Sequence, residues 1–271
     1  MNAALRARIV TALLLAALVI VVLVWLPPDV AVALISVAIF AAGYEWAGFA
    51  RLRSVPARLA YAAAILLALT GAEMLASDPR WLVNILRIAA LWWLVAFLWL
   101  ALRAQAGGRL AAAVVVGFLV LVPAGIGLSH LVTLQPHGQL LLLYLIVLIA
   151  AADVGAYFGG RKFGKRKLAP HVSPGKTWEG FAAGMLAAAS VAVACALVFE
   201  LPFWPWLFLC ELIALVSVVG DLTESMFKRH VGLKDSGKLL PGHGGILDRI
   251  DSLTAAAPTF LLGLLALGLV P

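Results

Sequence analysis

The sequence predicts an all-α, polytopic integral-membrane helix bundle of about nine transmembrane helices, and three observations carry that prediction. Hydrophobic residues make up 64% of the 271 and charged residues only 12%, with a mean hydropathy of +1.07. A soluble domain runs about 45–50% apolar and about 25% charged, so a soluble fold is excluded. Apolar runs, each near the roughly 20 residues that cross a bilayer, are separated by Pro, Gly and charged breaks along the whole chain. Finally, the basic residues fall in alternate breaks.

In chain order the runs are Ile9–Leu26, Val30–Ala50, Leu59–Ala76, Leu82–Leu102, Leu110–Leu134, Gln139–Phe158, Trp178–Phe199, Phe203–Gly220 and Ile250–Val270. The first exceeds a signal-peptide core and lacks an A-x-A site just after it, so it is read as a retained helix. The fifth contains Pro123, Gly125 and Gly127, which predicts a kink or break. Glu45 and Glu73, near run ends, are read as interfacial, and Asn84 and Arg87 as snorkelling or pairing inside the bundle. The nine tryptophans suit interfacial belts. Cys195 and Cys210 are the only cysteines, form no CxxC pattern and exclude a disulfide framework.

Orientation follows from the loop charges. With the N-terminus cytoplasmic, the inside segments carry Arg6, Arg8, Arg51, Arg53, Arg58, Arg103 and Arg109 in the first half. In the second half they carry Arg161, Lys162, Lys165, Arg166, Lys167, Lys176, Lys228, Arg229, Lys234, Lys238 and Arg249. That is 18 of 20, leaving Arg80 outside and Arg87 within a run. The net charge of +7 is therefore read as loop charge facing an anionic leaflet, and no nucleic-acid partner is expected. Every lysine lies between Lys162 and Lys238. Residues 1–150 are thus read as N-terminal transmembrane helices. Residues 151–271 are the catalytic transmembrane region, with polar cytoplasmic loops at about 159–177 and 221–249, all in one continuous membrane domain. Loops of that length in a tight bundle are usually functional.

The second loop opens at Gly220-Asp-Leu-Thr-Glu-Ser-Met-Phe-Lys-Arg229. If the eighth helix continues past Gly220, then Asp221, Glu224, Ser225 and Lys228 share one face at i, i+3, i+4 and i+7. Carboxylates, a hydroxyl and a cation on one stripe suit a hard divalent ion with a phosphate, because Mg²⁺ takes oxygen ligands. Asp248 and Asp251 stand i, i+3 at the start of the ninth helix, with Arg249 between them; carboxylates there also suit the positive helix N-terminus. Four carboxylates bracketing Pro241-Gly-His-Gly-Gly245 favour a metal–phosphate site. Gly242, Gly244 and Gly245 let backbone N–H groups approach an anion. His243 is either a phosphate donor or acid, or a structural loop residue.

The first loop carries Asp153 late in an apolar run, where an ionisable group costs about 2.5–3.5 kcal/mol and marks a functional candidate. Ser173-Pro-Gly-Lys176-Thr177 has the look of a Walker A ending but has Pro170 where that motif needs glycine. It is read as a phosphate-binding turn ahead of the seventh helix, with Ser173, Lys176 and Thr177 as donors. The run 161–167 is read as an anchoring charge cluster or a substrate contact.

Ser225-x-x-Lys-Arg229, Lys234-Asp235, Pro241-Gly-His-Gly-Gly245 and Leu247-Asp-Arg-Ile-Asp-Ser252 together resemble the signature of the phosphatidate cytidylyltransferases. The resemblance is specific over roughly 153–257 and departs at Val154, where a small hydroxyl residue is expected. It implies CTP and phosphatidate as substrates, CDP-diacylglycerol and pyrophosphate as products, a bilayer setting, Mg²⁺ with a second ion such as K⁺, and a homodimer. A bacterial inner membrane is expected, and the Lys/Arg count of the loops puts the site on its cytoplasmic side. On the basis of the resemblance Asp221 and Asp248 are the principal metal ligands, with Glu224 and Asp251 supporting them. Lys228, Arg229, Lys234 and Arg249 hold CTP phosphates, while Ser173, Lys176 and Thr177 bind phosphate across the cavity. Asp153 and Tyr157 line the membrane-side cavity where the lipid phosphate arrives.

Two alternatives compete. Another CTP-using membrane enzyme, such as a polyprenol kinase or a cytidylyltransferase for another lipid phosphate, would share the metal and phosphate groups. A transporter would explain many spans and an intramembrane Asp153, but its polar groups should sit near the midplane in repeated halves, and here they gather in two loops. A CDP-alcohol phosphotransferase lacks its Asp-Gly-x-x-Ala-Arg opening here.

Overall fold

The computed structural model describes residues 3–103, 110–237, 239 and 244–270. Among them are nine helices: α1 Ala3–Trp25, α2 Pro28–Phe49, α3 Val55–Ala76, α4 Pro79–Arg103, α5 Leu110–Thr133, α6 Gly138–Phe163, α7 Trp178–Val198, α8 Phe203–His230 and α9 Leu247–Ala266. Each matches one apolar run, so the all-α membrane bundle holds. Seven of them, α2 to α8, are long and apolar enough to cross a membrane. The described apolar stretch of α1 is shorter, Leu13–Trp25. Helix α9 spends its first turns on Asp248, Arg249 and Asp251.

Local chemistry sets the boundaries. Pro28 starts α2, where its missing N–H costs no bond. Ser54 caps α3 by accepting from the Ala57 amide, and Thr177 caps α7 by accepting from Gly180. Two predicted boundaries are corrected. Helix α8 does not stop at Gly220 but runs to His230, so much of the second polar loop is helix. Helix α6 runs to Phe163, and the first loop folds into a short antiparallel hairpin, β1 Lys167–Ala169 with β2 Ser173–Thr177. The Trp178 amide then donates to Arg166 O and docks the hairpin on α7.

The fifth run is not broken. Helix α5 is continuous through Pro123, and its glycines serve a close crossing instead. A Cβ on Gly127 would lie 2.6 Å from Pro258 N of α9. A similar small-residue seam joins α6 to α7, where Gly155 and Gly159 meet Ala183 and Gly184.

Helices α2, α4, α5, α8 and α9 contribute to both buried cores. Large apolar side chains such as Leu67, Met74, Leu186 and Phe208 point outward, as lipid-facing residues do. Gln139 at the start of α6 donates to Val22 O and Leu26 O at the end of α1. Helix α1 therefore begins at the end of the bundle where α6 finishes. At the opposite end Glu73, expected to be interfacial, sits half-buried 3.5 Å from His130 Nδ1.

Candidate active site

The continuation of α8 places Asp221, Glu224, Ser225 and Lys228 on one stripe, as the spacing requires. Helix α9 lies against it, with Asp248 in its first turn. The approach is tight: a Cβ on Gly220 would stand 2.7 Å from Asp251 O.

Three ionic contacts organise the site. Lys228 Nζ lies 2.9 Å from Glu224 Oε1 and 2.7 Å from Asp248 Oδ1, bridging the two helices. Lys176 Nζ, carried by β2, lies 2.6 Å from Asp221 Oδ2, and Ser225 Oγ donates to Asp221 Oδ1 over 3.2 Å. Glu224 is 3% exposed, and its Oε2 has no hydrogen-bond partner among the described residues. Asp251 accepts from its neighbour's amide, Ser252 N, at 2.7 Å, and it lies where the charges of Asp221, Lys228 and Lys176 act on it. The two lysines stand between the carboxylates, and among the described residues no three acidic or histidine side chains converge as a ready ligand set.

Asp248 is the best-tethered carboxylate. It also accepts from Ser236 N at 3.0 Å and Gly245 N at 2.8 Å. Burial pushes its carboxyl up, but Lys228 and the two amides outweigh that and hold it below the ordinary aspartate value. It is therefore charged at neutral pH. Gly245 brings its backbone N–H to an anion, but that anion is Asp248 itself. Gly244 has φ +83, and a Cβ there would fall 2.8 Å from Asp248 Oδ2.

Beside this cluster is a cavity of about 450 Å³ between α6, the hairpin, α7 and α8. Its polar lining is Asp153, Tyr157, Arg161, Ser173, Lys176 and Thr177; Ala156, Phe181, Met185, Ala214 and Val218 supply apolar wall. The five residues assigned to the first loop thus share one chamber. Asp153 lies within reach of the Lys176 and Asp221 charges. Arg161 donates to the Tyr157 hydroxyl over 3.3 Å. Val154 is absent from the lining and exposed on the outer surface.

Several expected roles meet a different geometry. Lys228, expected to hold CTP phosphates, is 8% exposed and committed to two carboxylates. Thr177 lines the cavity, but its oxygen is engaged as the α7 cap. Arg229 donates to Val172 O and Leu233 O, fastening the hairpin to the end of α8. Lys234, Asp235 and Arg249 are exposed. Gly242 and His243 lie outside the described residues.

Sequence reasoning missed two groups. Glu45, read as interfacial, is 2% exposed and bonded to Ser236 Oγ and Leu247 N at the site. It stands five residues before the end of an apolar run, a place that does not tell an interfacial acid from a buried one. Glu179 accepts from the Lys165 and Arg166 amides at 3.0 and 3.2 Å and shapes the basic turn before the hairpin.

Fold and site together define a class: a polytopic membrane enzyme with a carboxylate–lysine cluster beside an amphipathic cavity. A sequence profile of the Cytidylyltransferase family matches residues 6–267, and the chain belongs to that family. It is 41% identical over 232 residues to a phosphatidate cytidylyltransferase of Pseudomonas aeruginosa, covering 83% of this chain and 84% of the relative. Shorter matches join it to proteins of the same name. One, from Haemophilus influenzae, is 55% identical over 130 residues, covering 46% of this chain and 45% of the relative. Another, from Bacillus subtilis, is 46% identical over 160 residues, covering 56% and 59%.

Proposed function

We propose that the chain transfers a cytidylyl group from CTP to phosphatidate, giving CDP-diacylglycerol and pyrophosphate, at the cytoplasmic face of a bacterial inner membrane. The observation that carries this reading is the junction at Lys176 and Asp221, where the apolar-walled cavity meets the carboxylate cluster. A lipid with an anionic head needs such a junction, with apolar wall for the glycerol end and charge at the phosphate. The names of the relatives supply the two substrates.

A phosphate oxygen of the lipid bonds to the α-phosphorus of CTP while the α–β bridging bond breaks, and the electron pair leaves with pyrophosphate. The attacking phosphate is already ionised near pH 7, so the site needs no strong base. Its work is positioning and neutralising charge. Lys176 and Ser173 receive phosphate oxygens at the cavity, with Asp153 and Tyr157 on the membrane side. Arg229, Lys234, Asp235 and Arg249 border the nucleotide side, together with Gly242, His243, Gly244 and Gly245. Lys228 fixes the spacing of Glu224 and Asp248.

Four carboxylates, Asp221, Glu224, Asp248 and Asp251, outnumber the two lysines set among them. An oxygen-only donor set with surplus negative charge fits a hard divalent cation. These four would hold Mg²⁺, Asp221 and Asp248 foremost, and a second ion such as K⁺ belongs to the same reading. The metal, when bound, supplies neutralisation of phosphoryl charge. The site lies at the end of the bundle where α1 begins, and the loop-charge asymmetry supports a cytoplasmic position for that end, the side on which CTP is available.

The test is a CTP-dependent assay on detergent-solubilised protein with phosphatidate, with and without Mg²⁺, scoring both products. Mg²⁺-dependent formation of both is expected. CTP binding without product would mean a different acceptor lipid, and absence of CTP binding would overturn the reading.

A further inference from the structure

Glu45 has no part in the scheme above, yet it is built into the site from the other half of the chain. It stands near the end of α2 and is 2% exposed. Its Oε2 accepts from Ser236 Oγ at 3.0 Å and from Leu247 N at 2.9 Å, across sequence separations of 191 and 202 residues. The surrounding backbone closes on it: a Cβ on either Gly237 or Gly245 would overlap the carboxyl group. A carboxyl group is costly to bury, and this one is kept with two partners on Oε2 and none for Oε1 among the described residues, so its retention asks for a reason.

The partners supply the reason. Ser236 works as a two-pronged clip, with its hydroxyl on Glu45 and its amide on both oxygens of Asp248, at 3.1 and 3.0 Å. Leu247 is the first residue of α9, and the helix's own cap position, Ile246, makes no side-chain cap. Glu45 therefore caps α9 from a distant helix, its carboxyl oxygen satisfying an orphan amide of the first turn. The next residue on that helix is Asp248.

We propose that Glu45 is a positioning residue for the reaction, pinning Ser236 and the first turn of α9 at Leu247 so that Asp248 faces Lys228 and the α8 stripe. Its placement rests on geometry alone, while the reaction it serves rests on the cytidylyl-transfer reading. The inference also gives α2 a functional share in a site whose charged residues otherwise come from the second half of the chain.

The experiment compares the wild type with Glu45→Ala, Glu45→Gln, Ser236→Ala and the Glu45→Ala/Ser236→Ala double variant in detergent. For each, folded protein is quantified by size-exclusion chromatography, and kcat and KM for CTP are measured. Cleavage by trypsin after the exposed Lys234 is timed in parallel. Glu45→Ala should lower kcat per folded molecule by about 30-fold or more while KM for CTP stays within about threefold, the mark of a group that orders the transition state. Cleavage after Lys234 should quicken by about tenfold, and Glu45→Gln should recover part of both losses. Adding Ser236→Ala to Glu45→Ala should cost less than about twofold more, because both act through one clip. Unchanged kcat per folded molecule, or losses that multiply, would overturn the inference. If Glu45→Ala does not fold, Glu45→Gln and Ser236→Ala carry the same comparison. A wild type that turns over no CTP would sink the reaction, while the trypsin comparison still decides whether Glu45 pins the loop.

Discussion

Lys228 Nζ lies 2.7 Å from Asp248 Oδ1, and this one contact ties the last turns of α8 to the first turn of α9. The same ammonium meets Glu224 2.9 Å away, with all three side chains nearly out of solvent. Replacing Lys228 by Met would leave two buried carboxylates facing each other without their shared counter-charge. Breaking a buried pair by removing one partner costs about 3–5 kcal/mol. Lys228→Met should therefore show a clear drop in thermal midpoint in detergent as well as loss of turnover. A variant with normal stability and lost turnover would mean that Lys228 contacts substrate directly.

Asp221 is set differently. It is partly open, and its partners, Lys176 and Ser225, are both side chains that a ligand can displace. Asp221→Asn keeps the shape and the Ser225 bond but removes the charge. Turnover should fall by about a thousandfold or more, on the scale of losing a group that acts in the transition state, with the thermal midpoint close to wild type. Full Mg²⁺-dependent activity in this variant would overturn its assignment as a metal-holding residue.

The cavity and the cluster were legible to different degrees. The i, i+3, i+4, i+7 spacing of Asp221, Glu224, Ser225 and Lys228 foretold one stripe because helical periodicity is local. The shared chamber of Asp153, Tyr157, Ser173, Lys176 and Thr177 followed from two segments lying close in sequence. Glu45 was not legible, since its partners are 191 and 202 residues away and a lone Glu near a run end looks the same whether it meets water or a loop. The commitment of Lys228 to carboxylates was hidden for a related reason. Composition shows a cation among anions but not which anions take it. Of the kink or break expected in α5, the break is absent because proline and glycine, which signal breaks in water, also permit close helix contact in a packed bundle.

Gly245 sits where three side chains converge. Its amide donates to Asp248 Oδ2 at 2.8 Å, and a Cβ there would overlap both Ser236 Oγ and Glu45 Oε2. Gly245→Ala must push the loop off the clip or move Asp248. Overpacking of this kind costs about 1–3 kcal/mol, and the displaced groups belong to the site. Turnover per folded molecule should drop at least about tenfold. Wild-type kinetics in Gly245→Ala would show that the loop adjusts without moving Asp248.

Gly127 offers the complementary case, a tight contact remote from the chemistry. A Cβ there would lie 2.6 Å from Pro258 N and 2.9 Å from Ala257 C, both backbone atoms of α9 that cannot swing aside as a side-chain end can. Gly127→Ala must therefore separate α5 from α9 in the middle of the bundle, at a cost of about 1–3 kcal/mol. Pro258 lies ten residues beyond Asp248 along α9, and the start of that helix is held independently by Glu45, Ser236 and Lys228. The thermal midpoint should fall while kcat and KM per folded molecule remain those of the wild type. A matching fall in kcat would mean that α9 moves as one rigid rod, so that strain at Pro258 reaches Asp248 despite its three tethers.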